Sequence, residues 1–157
     1  MSSLAADLVN TRPRPADPEE KLDADAAREL LAAYGIARAP SLEELRGVRD
    51  ELLRAFEARD MAELADALNP LLARGGPLRL VPGRALGVVP TAAADVVAVT
   101  AATELARIAA ERGLDRLGFC AADDCQAVFA DTSPRGDRHY CSRRCSTRMN
   151  VRRFRKQ

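Results

Sequence analysis

Residues 120–145 read C-A-A-D-D-C-Q-A-V-F-A-D-T-S-P-R-G-D-R-H-Y-C-S-R-R-C, and this stretch decides how the end of the chain folds. Two close cysteine pairs, Cys120/Cys125 and Cys141/Cys145, give the spacing C-x4-C-x15-C-x3-C. Zinc takes four tetrahedral ligands, and four thiolates leave no open position for a substrate water. The pattern therefore points to one structural Zn2+ and away from a catalytic metal. Cys120 to Cys125 reads as a turn with Asp123 and Asp124 facing solvent, and V-F-A-D as the start of a strand. S-P-R-G-D then turns the chain, and R-H-Y leads back to Cys141 as the second arm of a hairpin. Ser142 can cap a helix whose first turn carries Cys145, one helical turn from Cys141. A knuckle, a hairpin and a ligand-bearing helix make a treble-clef-like arrangement. His139 stands outside this set, since four sulfurs already complete the tetrahedron.

The competing uses of four cysteines are weaker. With no long apolar run and no signal-peptide layout at the start, a cytoplasmic location is expected, where disulfides are disfavoured. The spacing is also not one of the usual iron–sulfur patterns.

Working outward, residues 1–114 are long enough to bury a core of their own, whereas 115–157 need a staple such as a metal. Tryptophan is absent and aromatics are scarce, so the core must come from Leu, Ala and Val, which favours helices. Residues 4–12 read as a strand or short helix docked on the body. Asp17 as N-cap and Pro18 at the first helical position predict a helix running to Gly35. Ser41 and Glu44 have capping-box spacing and open a second helix to about Ala58. A third starts near Asp60 and is expected to kink or end around Asn69, before Pro70. Leu78–Val81 and Ala85–Val89 read as a small hairpin around Pro82-Gly83. A long Ala-rich helix from Thr91 to Arg112 closes at Gly113. The expected fold class is mainly α with a small β-hairpin (α+β): a helical N-terminal domain (1–114) and a C-terminal treble-clef-like zinc finger (115–157).

The charge is split along the chain. Residues 1–119 have a net charge of −4 and residues 120–157 of +5, with seven cations and no acid from Ser142 onward. On the predicted C-terminal helix Arg144, Arg148, Arg152 and Lys156 recur every fourth residue, flanked by Arg143, Arg153 and Arg155. Like charges at that spacing repel one another, a conflict that a polyanion relieves. Met149 and Phe154 form an apolar patch expected to hold the helix on the hairpin or body.

Taken together, D-L-V-N-T (Asp7 to Thr11), C-x4-C, V-F-A-D-T-S-P-R-G and the C-x3-C opening a basic helix are similar to the CGNR zinc-finger family. In that family the finger follows a helical domain known as ABATE. The resemblance implies a stress-induced transcription regulator with a DNA-binding finger, placed in the bacterial cytosol or nucleoid. One departure is clear: Cys145-Ser146-Thr147-Arg148 stands where the family has Cys-Gly-Asn-Arg.

The expected partner is DNA, contacted by Arg143, Arg144, Arg148, Arg152, Arg153, Arg155 and Lys156. RNA, or an acidic protein surface met by a zinc-stabilised interaction module, is the alternative. The helical domain is expected to sense a signal or to form a homodimer. Asp7, Asn10 and Thr11 mark a candidate ligand pocket, although turn capping is the stronger reading for Asn10 and Thr11. No residue set joins a nucleophile to a base or offers an open metal position, so an enzyme is not expected.

Overall fold

Ser3 begins the first element by accepting a hydrogen bond from the Ala6 N–H, and the helix it caps, α1 (Leu4–Val9), is apolar nearly all round. The computed structural model describes residues 3–15, 17–76, 90 and 92–155. Leu4, Ala5, Leu8 and Val9 are at most 1% exposed, so this short helix lies inside the molecule, packed on α3 and α5. Of the docked segment at residues 4–12, Leu4–Val9 is thus a helix and the rest a turn.

α2 (Ala24–Ala33) starts six residues later than Asp17 and Pro18 suggest. Asp23 is its N-cap, accepting from the Asp25 and Ala26 N–H groups. The segment before it is needed elsewhere. Arg14 and Asp17 exchange both backbone hydrogen bonds, and the Lys21 N–H donates to the Thr11 carbonyl. The Glu20 carboxylate receives the buried Arg49 guanidinium at 2.8 and 3.0 Å. Coiling residues 17–23 into a helix would break these ties, of which the Glu20 pair is the one to α3.

α3 (Leu42–Glu57) opens with the Ser41/Glu44 capping box, both halves formed. Leu45, Val48, Leu52, Ala55 and Phe56 lie on its buried face. α4 (Met61–Ala73) is capped by Asp60 and runs on past Pro70 for another turn. The reason is Leu71, which is 0% exposed and reaches the core only if the helix continues; Pro70 itself is exposed. α5 (Ala93–Arg112) places Val97, Ala98, Ala101, Ala102, Leu105, Ile108 and Ala109 against α1, α3 and α4. The hairpin expected over residues 78–89, and Thr91, lie outside the described residues.

A 3-10 turn at Leu114–Arg116 leads into β1 (Leu117–Phe119), which pairs antiparallel with β2 (Val128–Ala130). The register sets Leu117 opposite Ala130 and Phe119 opposite Val128. The partner of β2 is therefore the strand before the first cysteine, not R-H-Y. The Arg138 N–H donates to Asp131 Oδ2, which closes residues 131–138 as a loop and removes 138–140 from strand pairing. Leu117, Val128 and Ala130 join the same apolar cluster as the helices. The four-cysteine region forms a second, smaller cluster with Ala122, Ala127 and Met149. Last comes α6 (Arg143–Arg155), whose only buried residue is Cys145.

Candidate metal centre and nucleic-acid interface

β1 delivers Cys120, whose N–H donates to the Ala127 carbonyl at 2.7 Å, and the Cys125 N–H donates to the Ala122 carbonyl at 3.0 Å. These bonds make the knuckle the tip of the β1–β2 hairpin. The second cysteine pair arrives by a loop built around one carboxylate. Asp131, 2% exposed, accepts from the Ser133 and Arg138 N–H groups at 2.8 and 3.2 Å. Burial works against its ionisation, but the bonds from Ser133 and Arg138 and the Arg116 charge outweigh burial and hold its pKa below the usual value. Arg116 donates to the Ser133 carbonyl at 2.7 Å, and Arg112 to that of Thr132 at 2.9 Å. Gly136 takes φ 69°, the left-handed conformation that a side chain would strain. Arg138 stacks on the Phe129 ring, 5.2 Å from its centroid, and donates to the Tyr140 and Cys141 carbonyls. A last tie, from the Ala121 N–H to the His139 carbonyl at 2.8 Å, sets Cys141 beside the knuckle.

The four sulfurs then converge. Cys125–Cys141, Cys141–Cys145 and Cys125–Cys145 Sγ distances are 3.5, 3.6 and 3.7 Å, and all four sulfurs lie within 4.8 Å of one another. Tetrahedral zinc with Zn–S near 2.3 Å requires sulfurs about 3.8 Å apart. None of the four is in a disulfide. Cys120, Cys125, Cys141 and Cys145 form a zinc-binding site for one structural ion, which when bound cross-links the knuckle to the start of α6. Burial raises the Cys125 and Cys141 thiol pKa values; burial also opposes ionisation of Cys145, yet hydrogen bonding from Ser142 and the neighbouring thiols lowers its pKa. Thiolate ligation displaces those protons, so zinc affinity rises with pH.

The basic residues divide into two groups. Arg148 donates to both Asp124 oxygens at 2.9 and 2.6 Å, and its Nη2 lies 3.9 Å from Cys145 Sγ. Arg152 lies 3.7 Å from Asp123. Asp124 is thus half-buried and occupied, while Asp123 remains exposed. Arg143, Arg144, Arg153 and Arg155 are exposed and have no ion pair among the described residues. Lys156 lies outside those residues. The apolar patch also divides: Met149 packs on the cysteine cluster, but Phe154 is 81% exposed and holds nothing down.

Asp7 accepts from the Tyr34 hydroxyl at 2.6 Å, and the Thr11 hydroxyl donates to the Leu8 carbonyl at 2.7 Å, a local turn cap. Asp7 and Asn10 line a cavity of about 90 Å³ shared with Ser3, Phe129, Arg138 and Cys141; Thr11 does not reach it. Asn10 has a role that the reading of residues alone missed. Its Nδ2 donates to the Val128 carbonyl at 2.9 Å, and its Oδ1 accepts the Val128 N–H at 2.8 Å. A side-chain amide thereby takes the place of a neighbouring strand on the open edge of β2. Nothing local in the sequence signals this, because the partners are 118 residues apart. Asp131 had a local signal, since Asp-x-Ser-Pro followed by Gly is turn chemistry.

Residues 116–157 match the family model described as the CGNR zinc finger. The helical body lies outside that match, and no curated protein matches the chain.

Proposed function

We propose that this chain is a zinc-dependent DNA-binding protein with a regulatory role, in which α6 makes the contact and the helical body senses a signal or dimerises. The observation that carries the reading is the state of α6. It is held to the molecule through Cys145, Met149, Arg148 and Arg152, while four further arginines stand exposed with no acidic partner among the described residues. Arginine suits phosphate contact through its fixed fork of donors. The charge split along the chain and the finger-family match of residues 116–157 point the same way. The closed four-sulfur site supports a binding role over a catalytic one.

The test is a salt titration of binding by the zinc-loaded chain, followed by fluorescence anisotropy with labelled duplex DNA. Each phosphate neutralised contributes about 0.9 to the log–log slope, so three to four of the exposed arginines on phosphates predict a slope of about −2.7 to −3.6. Arg144→Ala or Arg153→Ala should each flatten it by about 0.9, and Arg148→Ala should leave it nearly unchanged. No binding to DNA at low salt overturns the proposal and favours an acidic protein partner.

A further inference from the structure

With Cys145 directed at the other cysteine sulfurs, the helical advance of about 100° per residue places the other side chains of α6 around its axis. Opposite Cys145, within about 60° of the outward direction, lie Arg143, Thr147, Asn150, Val151 and Phe154. All five are exposed, with Val151 and Phe154 at 44% and 81%. The Thr147 hydroxyl and the Asn150 amide have no hydrogen-bond partner among the described residues. Arg144 and Arg155 flank this strip on one side and Arg153 on the other, each about 80–100° from its centre. The helix thus has an uncharged polar and apolar strip, led by one arginine, between two cationic margins. Its 13 residues give a rod about 20 Å long.

That layout fits one docking geometry. A helix in the DNA major groove has its outward strip against base edges while its margins face the phosphates of both strands. On the proposed DNA-binding reading, we infer that α6 is a major-groove recognition helix that prefers A·T pairs, with Thr147, Asn150 and Val151 as its specificity-determining residues. Asparagine pairs bidentately with adenine N6 and N7, and the thymine methyl takes apolar contact from threonine and valine. Phe154, near the end of the strip, adds apolar surface for a second thymine methyl. The duplex must be B-form DNA, because the major groove of double-stranded RNA is too narrow for side chains to read. Thr147 and Ser146 stand at the two positions where this finger departs from Cys-Gly-Asn-Arg. Thr147 lies about 20° from the centre of the outward strip and Ser146 about 80° from it, on the margin that carries Arg153, so only the Thr147 departure falls on the reading surface.

The experiment uses the zinc-loaded full chain and four labelled 20-base-pair probes: an A·T-rich duplex, a G·C-rich duplex, the A·T-rich duplex with uracil for thymine, and a double-stranded RNA. Binding to the A·T-rich duplex should be about tenfold or more tighter than to the G·C-rich one. Uracil replacement should remove part of that preference. Asn150→Ala and Val151→Ala should weaken binding to the A·T-rich duplex more than to the G·C-rich one, so that the preference shrinks while the salt slope, set by the charged residues, stays the same; both residues are exposed, and metal content and helicity check the fold. Equal affinity for all DNA duplexes with an unchanged salt slope overturns base reading but leaves DNA binding standing. Binding to the RNA as tight as to the DNA overturns the groove assignment. Failure to bind any probe at low salt overturns the DNA-binding reading itself.

Discussion

Asn10→Ala removes the amide that closes the edge of β2. In the native protein both Val128 backbone groups are satisfied by that one side chain, at 2.9 and 2.8 Å, and Val128 is 1% exposed. The ladder to β1 cannot compensate. The Cys120 to Ala127 and Asp131 to Arg116 backbone bonds show that the alternate residues face β1, so Val128 faces away from it. Leaving a buried donor or acceptor unpaired costs about 1–3 kcal/mol for each group. The half-buried Asn10 site admits some water, so the low end applies, and the expected loss is about 2–4 kcal/mol for the pair. That is a large share of a typical 5–15 kcal/mol. Urea unfolding of the zinc-loaded protein, read by far-UV circular dichroism, should show a lower midpoint at unchanged slope. Asn10→Asp should lose at least as much, because a carboxylate accepts the Val128 N–H but repels its carbonyl. A loss below about 0.5 kcal/mol for Asn10→Ala would refute the reasoning and return Asn10 to a turn-capping role.

Removing zinc should reach beyond the finger. Leu117, Val128 and Ala130 belong to the helical core, and displacing Leu117 and Val128 forfeits about 3–6 kcal/mol of burial, so the thermal midpoint of the helical signal should fall on chelation; an unchanged midpoint would show the hairpin stays docked without metal. Arg148→Ala should weaken zinc affinity about ten- to a hundredfold in a chelator competition, since it links Asp124 to Cys145 around the ligands. Unchanged zinc affinity, with a flatter DNA salt slope, would make Arg148 a phosphate contact instead. Glu104 gives a pH prediction. Burial raises its carboxyl pKa, assisted by the Asp7 charge and opposed by hydrogen bonds from Ser3, Leu4 and Ala5. The folded state therefore holds this proton more tightly than the unfolded chain, so its contribution is full in acid and is lost as pH rises through the folded value. Glu104→Gln should remove that trend, and the stability of the variant relative to the parent should climb from pH 4 to 7; a flat difference refutes it.

The helices and the metal ligands were legible because their signals are local. Ser41 and Glu44 are three residues apart, the apolar faces repeat at helical spacing, and two cysteine pairs with thiolate chemistry suit a single ion. Where the reading went astray, a distant partner had outbid a local preference. Asp17-Pro18 is a good helix start, but Glu20 is taken by Arg49 on α3. R-H-Y could form a strand, but Arg138 is turned back by Asp131. The cations follow the same rule. Their number and sign are properties of the chain, readable in order from Ser142 to Lys156. Which of them stay free depends on the knuckle, whose Asp123 and Asp124 approach one side of α6 only after the sulfurs converge. Composition set the sign of the surface. Only the fold could pair Arg148 and Arg152 and leave Arg143, Arg144, Arg153 and Arg155 to face outward, because a salt bridge depends on distance in space and not on order in the chain.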